Sequence, residues 1–335
     1  MTFSLCMIVK NEAEILERCL DSISDLMDEI IIVDTGSTDQ TKEIAKKYTD
    51  KVFDFEWDDD FSAARNFAFS KATMDYIYSA DADEVLDEEN HEKFRMLKEA
   101  LLPEIEIVQM YYTNQLEFNT TYNFDEELRP KLYKRIRTPV WVDPLHESVR
   151  LDPVVFDSDI KIKHCPTSEH QNRDFAIFQK EIAANGKLSE KLQKMYAREL
   201  FISGSDNDFL TAEPYFKKRL DKDSSDELIM HDVCVLVKCA RLRDDSDAML
   251  YAAGRALAAD DTPSEVVFEL GEFYRGRHNY HEAVMWYYNA AFETMPILNQ
   301  KYNTLFPFMG LHVTYVILGD REKAAKYGTL MREYQ

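Results

Sequence analysis

Basic residues are scarce in this chain. Against 62 Asp and Glu, its 335 residues carry 40 Lys and Arg, giving a formal charge of -22. Affinity for bulk nucleic acid or anionic lipid comes from Lys and Arg neutralising phosphates, so neither partner is expected. Any phosphate this protein binds needs local help, such as a metal ion. Cysteine is also thin: Cys6, Cys19, Cys165, Cys234 and Cys239 are odd in number and show no Cys-x-x-Cys spacing. That indicates neither a disulfide framework nor a zinc ribbon, and it fits a reducing cytoplasm. No stretch approaches the roughly 20 apolar residues of a membrane span. The apolar run from Thr2 to Val9 is short and lacks the cationic lead of a secretion signal. A soluble cytoplasmic protein without a transmembrane segment is expected. What the chain does have is 45% hydrophobic and 12% aromatic residues, enough to exclude disorder and, at this length, to build two domains.

The most informative stretch is Tyr76 to Glu84, where a short apolar run is followed at once by Asp81, Asp83 and Glu84. In a turn, carboxylates at i and i+2 can converge on one hard cation. Oxygen donors of this kind suit Mg²⁺ or Mn²⁺, which hold one or two carboxylates and take their other ligands from water and substrate phosphates. The plainer alternative is that these acids only open the next helix, because carboxylates favour a first turn.

Around that stretch the pattern alternates. Phe3 to Val9 reads as a strand, and Ile15, Leu16, Cys19, Leu20 and Ile23 mark one face of a helix. Glu29 to Asp34 repeats the strand, with Ser37 to Gln40 offering caps for a helix carrying Ile44, Ala45 and Tyr48. Lys51 to Trp57 and Tyr76 to Ala80 give two more strands, with a helix over Phe61 to Ala72. Alternation of this kind predicts an open, mainly parallel α/β sheet whose ligands lie beyond the carboxyl ends of its strands. The rule places Asn11, Asp34, Asp58 to Asp60, Asp81 and Asp83 along one rim. An acid such as Asp34 after a strand can accept hydrogen bonds from a base or ribose; it can equally form the turn before Gly36. Arg65 stands among small and apolar residues, either as a salt-bridge partner or as a clamp on a diphosphate.

Four blocks in this order resemble the successive signatures of family 2 glycosyltransferases with the GT-A fold: Met7 to Glu12, Ile32 to Asp39, Ala64 to Asn66 and Asp81 to Glu84. The resemblance covers the first half of the chain. It implies a Rossmann-like GT-A domain, with Asn11, Glu12 and Asp34 at the nucleoside of a donor such as a UDP-sugar and Arg65 near the base or diphosphate. Asp81 and Asp83 would lie at Mn²⁺ or Mg²⁺ and the sugar diphosphate. Where the family often shows paired acids, this chain has His146 and Glu147. Trp141 followed by a loop acid resembles the acceptor side of such enzymes, where an aromatic ring packs on a sugar, and makes Glu147 the expected catalytic base. His164, ending the alternating stretch Ile160 to His164, resembles the late histidine that completes the metal site in part of the superfamily. The tyrosines from Tyr111 to Tyr122 pack, or line an acceptor groove.

After Pro166 to Asp174 the texture turns helical, so a catalytic domain over 1–170 and a helical domain over 171–335 are expected. Leu270, Gly271, Tyr274, Ala283, Tyr287 and Ala290 reproduce the tetratricopeptide pattern, whose repeat is about 34 residues. Ala256 lies that distance before Ala290, and weaker copies fall at Ala212 to Leu220 and Leu311 to Leu330. Such repeats present a surface to a peptide or protein, with self-association into a homodimer as the rival use. The expectation is a metal-dependent inverting transferase acting on a peptide, protein or glycan acceptor, similar to bacterial peptide and protein glycosyltransferases. The alternatives are a non-catalytic scaffold, or a sugar nucleotidyltransferase. The latter would need a Gly-rich basic phosphate loop early in the chain, which Val9 to Glu17 does not offer.

Overall fold

The computed structural model describes residues 1–113, 126–137, 141–142, 148–149, 153–165, 171–220, 226–259 and 261–334. They fall into two compact units, Met1–His170 and Gln171–Gln335.

The first unit contains strands β1 (Phe3–Val9), β2 (Glu29–Asp34), β3 (Val52–Asp54), β4 (Tyr76–Ser79), β5 (Glu84–Val85), β6 (Ile107–Thr113), β7 (Glu127–Lys134), β8 (Trp141–Val142), β9 (Ser148–Val149) and β10 (Val155–His164). Its helices are α1 (Leu16–Ile23), α2 (Thr41–Ala45), α3 (Phe61–Lys71) and α4 (Glu88–Ala100). Eight strands form one sheet in the order β3-β2-β1-β4-β7-β6-β10-β5. The quartet β3-β2-β1-β4 is parallel, as the alternation predicts; β7 then runs antiparallel to both β4 and β6, so the sheet is mixed beyond β4. The apolar run of β1, interrupted only by Ser4, follows from burial on both faces. Phe3, Leu5, Met7 and Val9 enter one core with α1 and Phe94, while Cys6 enters the other with Ala68 and Phe69 of α3. Two expected elements are shorter than their sequence suggests. The strand expected over Lys51 to Trp57 is confined to β3, and α2 ends before Tyr48, whose hydroxyl instead meets Asp21 Oδ1 at 2.5 Å.

The second unit is helical: α5 (Gln171–Asn185), α6 (Glu190–Ser203), α7 (Asp206–Leu220), α8 (Asp226–Leu242), α9 (Ser246–Leu257), α10 (Ser264–Gly276), α11 (Tyr280–Phe292), α12 (Leu305–Leu318) and α13 (Arg321–Arg332). The ends of α8 and α10, Leu242 and Gly276, are 34 residues apart, and so are the starts of α9 and α11, Ser246 and Tyr280. The turns inside the pairs α8–α9, α10–α11 and α12–α13 are copies of one another. Each has a left-handed residue, Asp244, His278 or Gly319. The N–H of the next residue then donates to the carbonyl five positions back: Asp245 to Ala240, Asn279 to Tyr274 and Asp320 to Tyr315, each at 3.0 Å. This is the closing bond of a Schellman turn, and it repeats although the left-handed residue changes identity.

The repeat positions read from sequence pack as small residues against a ring. A Cβ on Gly271 of α10 would stand 2.6 Å from the Tyr287 ring, and one on Gly310 of α12 would stand 2.8 Å from the same ring. Between α11 and α12 the period is broken by extra chain that folds back over α6, α8 and α10. Buried Glu265 accepts backbone N–H from Ile297, Leu298 and Asn299 at 3.2, 2.7 and 2.9 Å. Asn299 Nδ2 donates to the Phe201 carbonyl, and Tyr302 packs on Phe201 and Phe268 while accepting from Lys238 Nζ at 3.2 Å. The face shared by α6, α8 and α10 is therefore covered by the protein's own chain.

Candidate active site

Because β2, β1 and β4 are neighbouring parallel strands, their carboxyl ends bring Asp34, Asn11 and Asp81 to one edge of the sheet. Two loops are latched there by side-chain to backbone hydrogen bonds. Asn11 takes a left-handed conformation, which Asn tolerates better than most residues, and its Oδ1 accepts from the Thr38 N–H at 2.8 Å. Its own N–H donates to Ser37 Oγ, the Glu12 N–H donates to Thr41 Oγ1, and the Ala13 N–H donates to Asp39 Oδ2. Asp34, 1% exposed, accepts with Oδ2 from the N–H groups of Gly36 and Ser37 at 3.1 and 3.0 Å. Lys42 Nζ lies 3.6 Å from that oxygen and also pairs with Asp54. The other oxygen, Oδ1, is buried and has no partner among the described residues. The acids after β3 serve local ends: Asp60 caps α3 through the Ala63 N–H, and Asp59 accepts from Trp57 Nε1.

At the end of β4 two carboxylates are engaged separately. Asp81 Oδ1 accepts from Arg65 Nη2 at 2.9 Å, and Arg65 Nη1 donates to Ser79 Oγ at 3.1 Å. Burial works to raise the Asp81 carboxyl, but the charges of Arg65 and Lys131 outweigh it and hold the group well below the usual carboxylate range. Asp83 Oδ2 meets His164 Nε2 at 2.9 Å, while Asp83 Oδ1 is buried without a partner among the described residues. The approach of His164 is set by backbone pairing, since His164 faces Glu84 across the antiparallel β10–β5 ladder and the Cys165 N–H donates to the Asp83 carbonyl at 2.8 Å. Tyr112 of β6 backs the imidazole, with ring centroids 4.9 Å apart. Beneath the turn, Lys131 of β7 pairs with Glu84, whose carboxyl is pushed up to about 7 by burial in spite of that cation.

The structure thus brings Asp83 and His164 into direct contact and pairs Arg65 with Asp81. Glu147, with His146, lies outside the described residues, as does Tyr122. Trp141 differs from expectation. It is 8% exposed, with Phe69 and Tyr133 edge-on to its ring and the Arg65 guanidinium 5.1 Å above it. Its backbone is held at both N–H and C=O by the Asn66 carboxamide. The ring is part of the support of Arg65, not an open platform for a sugar. Sequence reasoning gave no role to Ser79 or Lys131, and it read Asn66 only as part of a signature block, because their partners Arg65, Glu84 and Trp141 lie elsewhere in the chain.

Among the described residues, no group of three or more His, Cys, Asp or Glu is gathered to hold a metal ion unaided. A carboxylate and an imidazole in contact, with one buried carboxylate oxygen lacking a partner, suit a divalent cation that takes its other ligands from water and phosphate.

Residues 4–148 match the family described as glycosyl transferase family 2. They are a family 2 glycosyltransferase domain. The chain is 55% identical over 83 residues to a TPR repeat-containing protein of Synechococcus elongatus, covering 25% of this chain and 21% of that one. It is 28% identical over 271 residues to the SPbeta prophage-derived glycosyltransferase SunS of Bacillus subtilis, covering 75% of this chain and 61% of SunS. It therefore spans less than two thirds of the length of these relatives. The match to SunS is longer than the first unit, so it reaches into the helical one. A solved glucosyl-3-phosphoglycerate synthase from Mycobacterium tuberculosis, in complex with Mn²⁺, UDP and glucosyl-3-phosphoglycerate, is 16% identical over 56% of this chain and 81% of that one. Its TM-score of 0.42 is too low for its ligands to be carried over.

Proposed function

We propose that the protein is an inverting glycosyltransferase that moves a sugar from a nucleotide-linked donor, with uridine the first base to test, to a peptide, protein or glycan. The observation that carries this reading is the rim of the glycosyltransferase domain. There Asp34 and Asp83 each keep a buried carboxylate oxygen without a partner among the described residues, and Arg65 pairs with Asp81. A buried acceptor left unsatisfied costs about 1–3 kcal/mol. A ligand's donors or cation would recover that cost.

In this reading Asp34 Oδ1 accepts from the ribose or base, its carboxyl fixed by the Gly36 and Ser37 N–H groups. Arg65, oriented by Asp81, Ser79 and the Trp141 ring, meets the negative charge that grows on the departing diphosphate. A divalent cation held by Asp83 and His164, with Asp81 of the same turn beside them, would neutralise diphosphate oxygens and so improve the leaving group. Glu147 is assigned to take the acceptor proton, and attack opposite the leaving group inverts the anomeric centre. The helical unit is assigned to present the acceptor. Its own residues cover the face of α6, α8 and α10, so an extended acceptor is expected elsewhere on it.

Incubation with a panel of nucleotide sugars and Mn²⁺, scoring release of nucleoside diphosphate, tests the reading. Release from at least one donor, lost in excess chelator, is expected. No release from any donor, together with no binding of nucleoside diphosphate, overturns it.

A further inference from the structure

We propose that Lys131 is a positioning residue of the Asp81–Asp83 turn: from β7 its ammonium ties the two ends of that turn together and so directs one carboxylate to Arg65 and the other to His164. The turn begins after Ser79, the last residue of β4, and closes at Glu84, the first of β5. Lys131 Nζ donates to the Ser79 carbonyl at 3.3 Å and to the Glu84 carboxylate, so one side chain reaches both ends. It is buried, with 8% of its side chain exposed and 2% of that of Glu84.

The rest of the turn is pinned from β1, on the other edge of β4, and from α1. The Ala80 N–H donates to the Cys6 carbonyl, the Cys19 thiol lies 3.4 Å from the Asp81 carbonyl, and Ala80 and Ala82 are buried. The Glu84 N–H returns to the Asp81 carbonyl at 3.2 Å. With the backbone held below, Asp81 and Asp83 point to separate partners, although three carboxylates fall within four residues. Two cations offset that charge from different elements: Arg65 from α3, which binds Asp81 itself, and Lys131 from β7, which binds only the frame. A buried ion pair is weak evidence of stability, because apolar or neutral replacements are often as stable. Its place beneath the turn, joining both ends, points to geometry. Groups that orient metal ligands from behind are worth roughly 10- to 100-fold in metal affinity or activity.

The proposal rests on the nucleotide-sugar reading of the rim, and its test separates the two. Lys131→Met, Lys131→Arg and the double variant Lys131→Met with Glu84→Gln are compared with the full-length protein by thermal melting. Hydrogen exchange of peptides over 79–85 is followed in the ligand-free, metal-free state, and UDP binding with Mn²⁺ is measured by calorimetry. The double variant is expected to melt near the parent, to exchange faster over 79–85 but not in β1 or β2, and to bind UDP with Mn²⁺ roughly 10- to 100-fold more weakly. Lys131→Arg, which can still donate to both ends, should recover part of the loss. Parent-like exchange and affinity in the double variant overturn the proposal. So does loss of protection throughout the sheet, or failure of both Met variants to fold, because the pair is then a fold determinant. Should the parent protein bind no nucleoside diphosphate, the proposed function fails while exchange over 79–85 still decides the role of Lys131.

Discussion

Asp34 and Asp83 sit at strand ends, each with one oxygen bonded within the protein and one without a partner among the described residues. Asp83→Ala is expected to abolish sugar transfer and leave the melting temperature nearly unchanged, because the turn is held by backbone bonds and Lys131. Full turnover by this variant, or in excess chelator, would remove the cation from the reading. Asp34→Asn keeps the shape of the side chain but weakens it as an acceptor, and Arg65→Ala removes the charge facing the diphosphate. Each is expected to lose about 1.5–3 kcal/mol of donor binding, roughly 10- to 150-fold in affinity by calorimetry. Unchanged affinity in both would move the nucleoside elsewhere. Asp34 and Asp83 were legible in the sequence because each follows an apolar strand. Arg65 and His164 were also named from the sequence, but which carboxylate each meets was not: Arg65 reaches Asp81 across 16 positions and His164 reaches Asp83 across 81, distances that only folding closes.

Among elements, the starts of the strands are stapled by Glu29. It accepts from Ser4 Oγ of β1 and from both the N–H and hydroxyl of Thr73 ahead of β4, and it pairs with Lys51. Burial raises its carboxyl, but those donors outweigh it and lower the group to about 2. A folded-state value below the unfolded one stabilises above the ordinary carboxylate pKa, and the gain is lost as pH falls through the folded value. Glu29→Gln should therefore melt below the parent at neutral pH, with the gap closing between pH 4.5 and 2. A gap independent of pH would mean that shape, not charge, holds the staple. In the helical unit, Gly271→Ala forces a Cβ to 2.6 Å from the Tyr287 ring, whose hydroxyl is anchored by Glu272 and Arg275. Overpacking of this kind costs about 1–3 kcal/mol, readable in chemical denaturation. Only one repeat was clear in sequence, because the turn that recurs is defined by backbone conformation and is filled by Asp, His or Gly.

For the molecule as a whole, the division of labour between the units is the question that one truncation answers. A protein ending at His170 is expected to bind nucleoside diphosphate and to lose transfer to its acceptor, because each unit holds its own core. Transfer at the full-length rate by a soluble truncation would remove the helical unit from acceptor recognition. Substitutions of Tyr302 or Glu265 are expected to lower the melting temperature of the helical unit. They uncover a face that the chain itself fills.

The order of strands and helices, the acids at strand ends and the small and aromatic residues of one repeat could all be read along the chain. Each depends on residues within a few positions of one another. The pairing of Asp83 with His164, the burial of Trp141 beneath Arg65, the Lys131 tie and the covering of α6, α8 and α10 belong to the fold alone. They join side chains that local periodicity treats as independent, and the energy of a buried charge or ring depends on what tertiary packing places beside it.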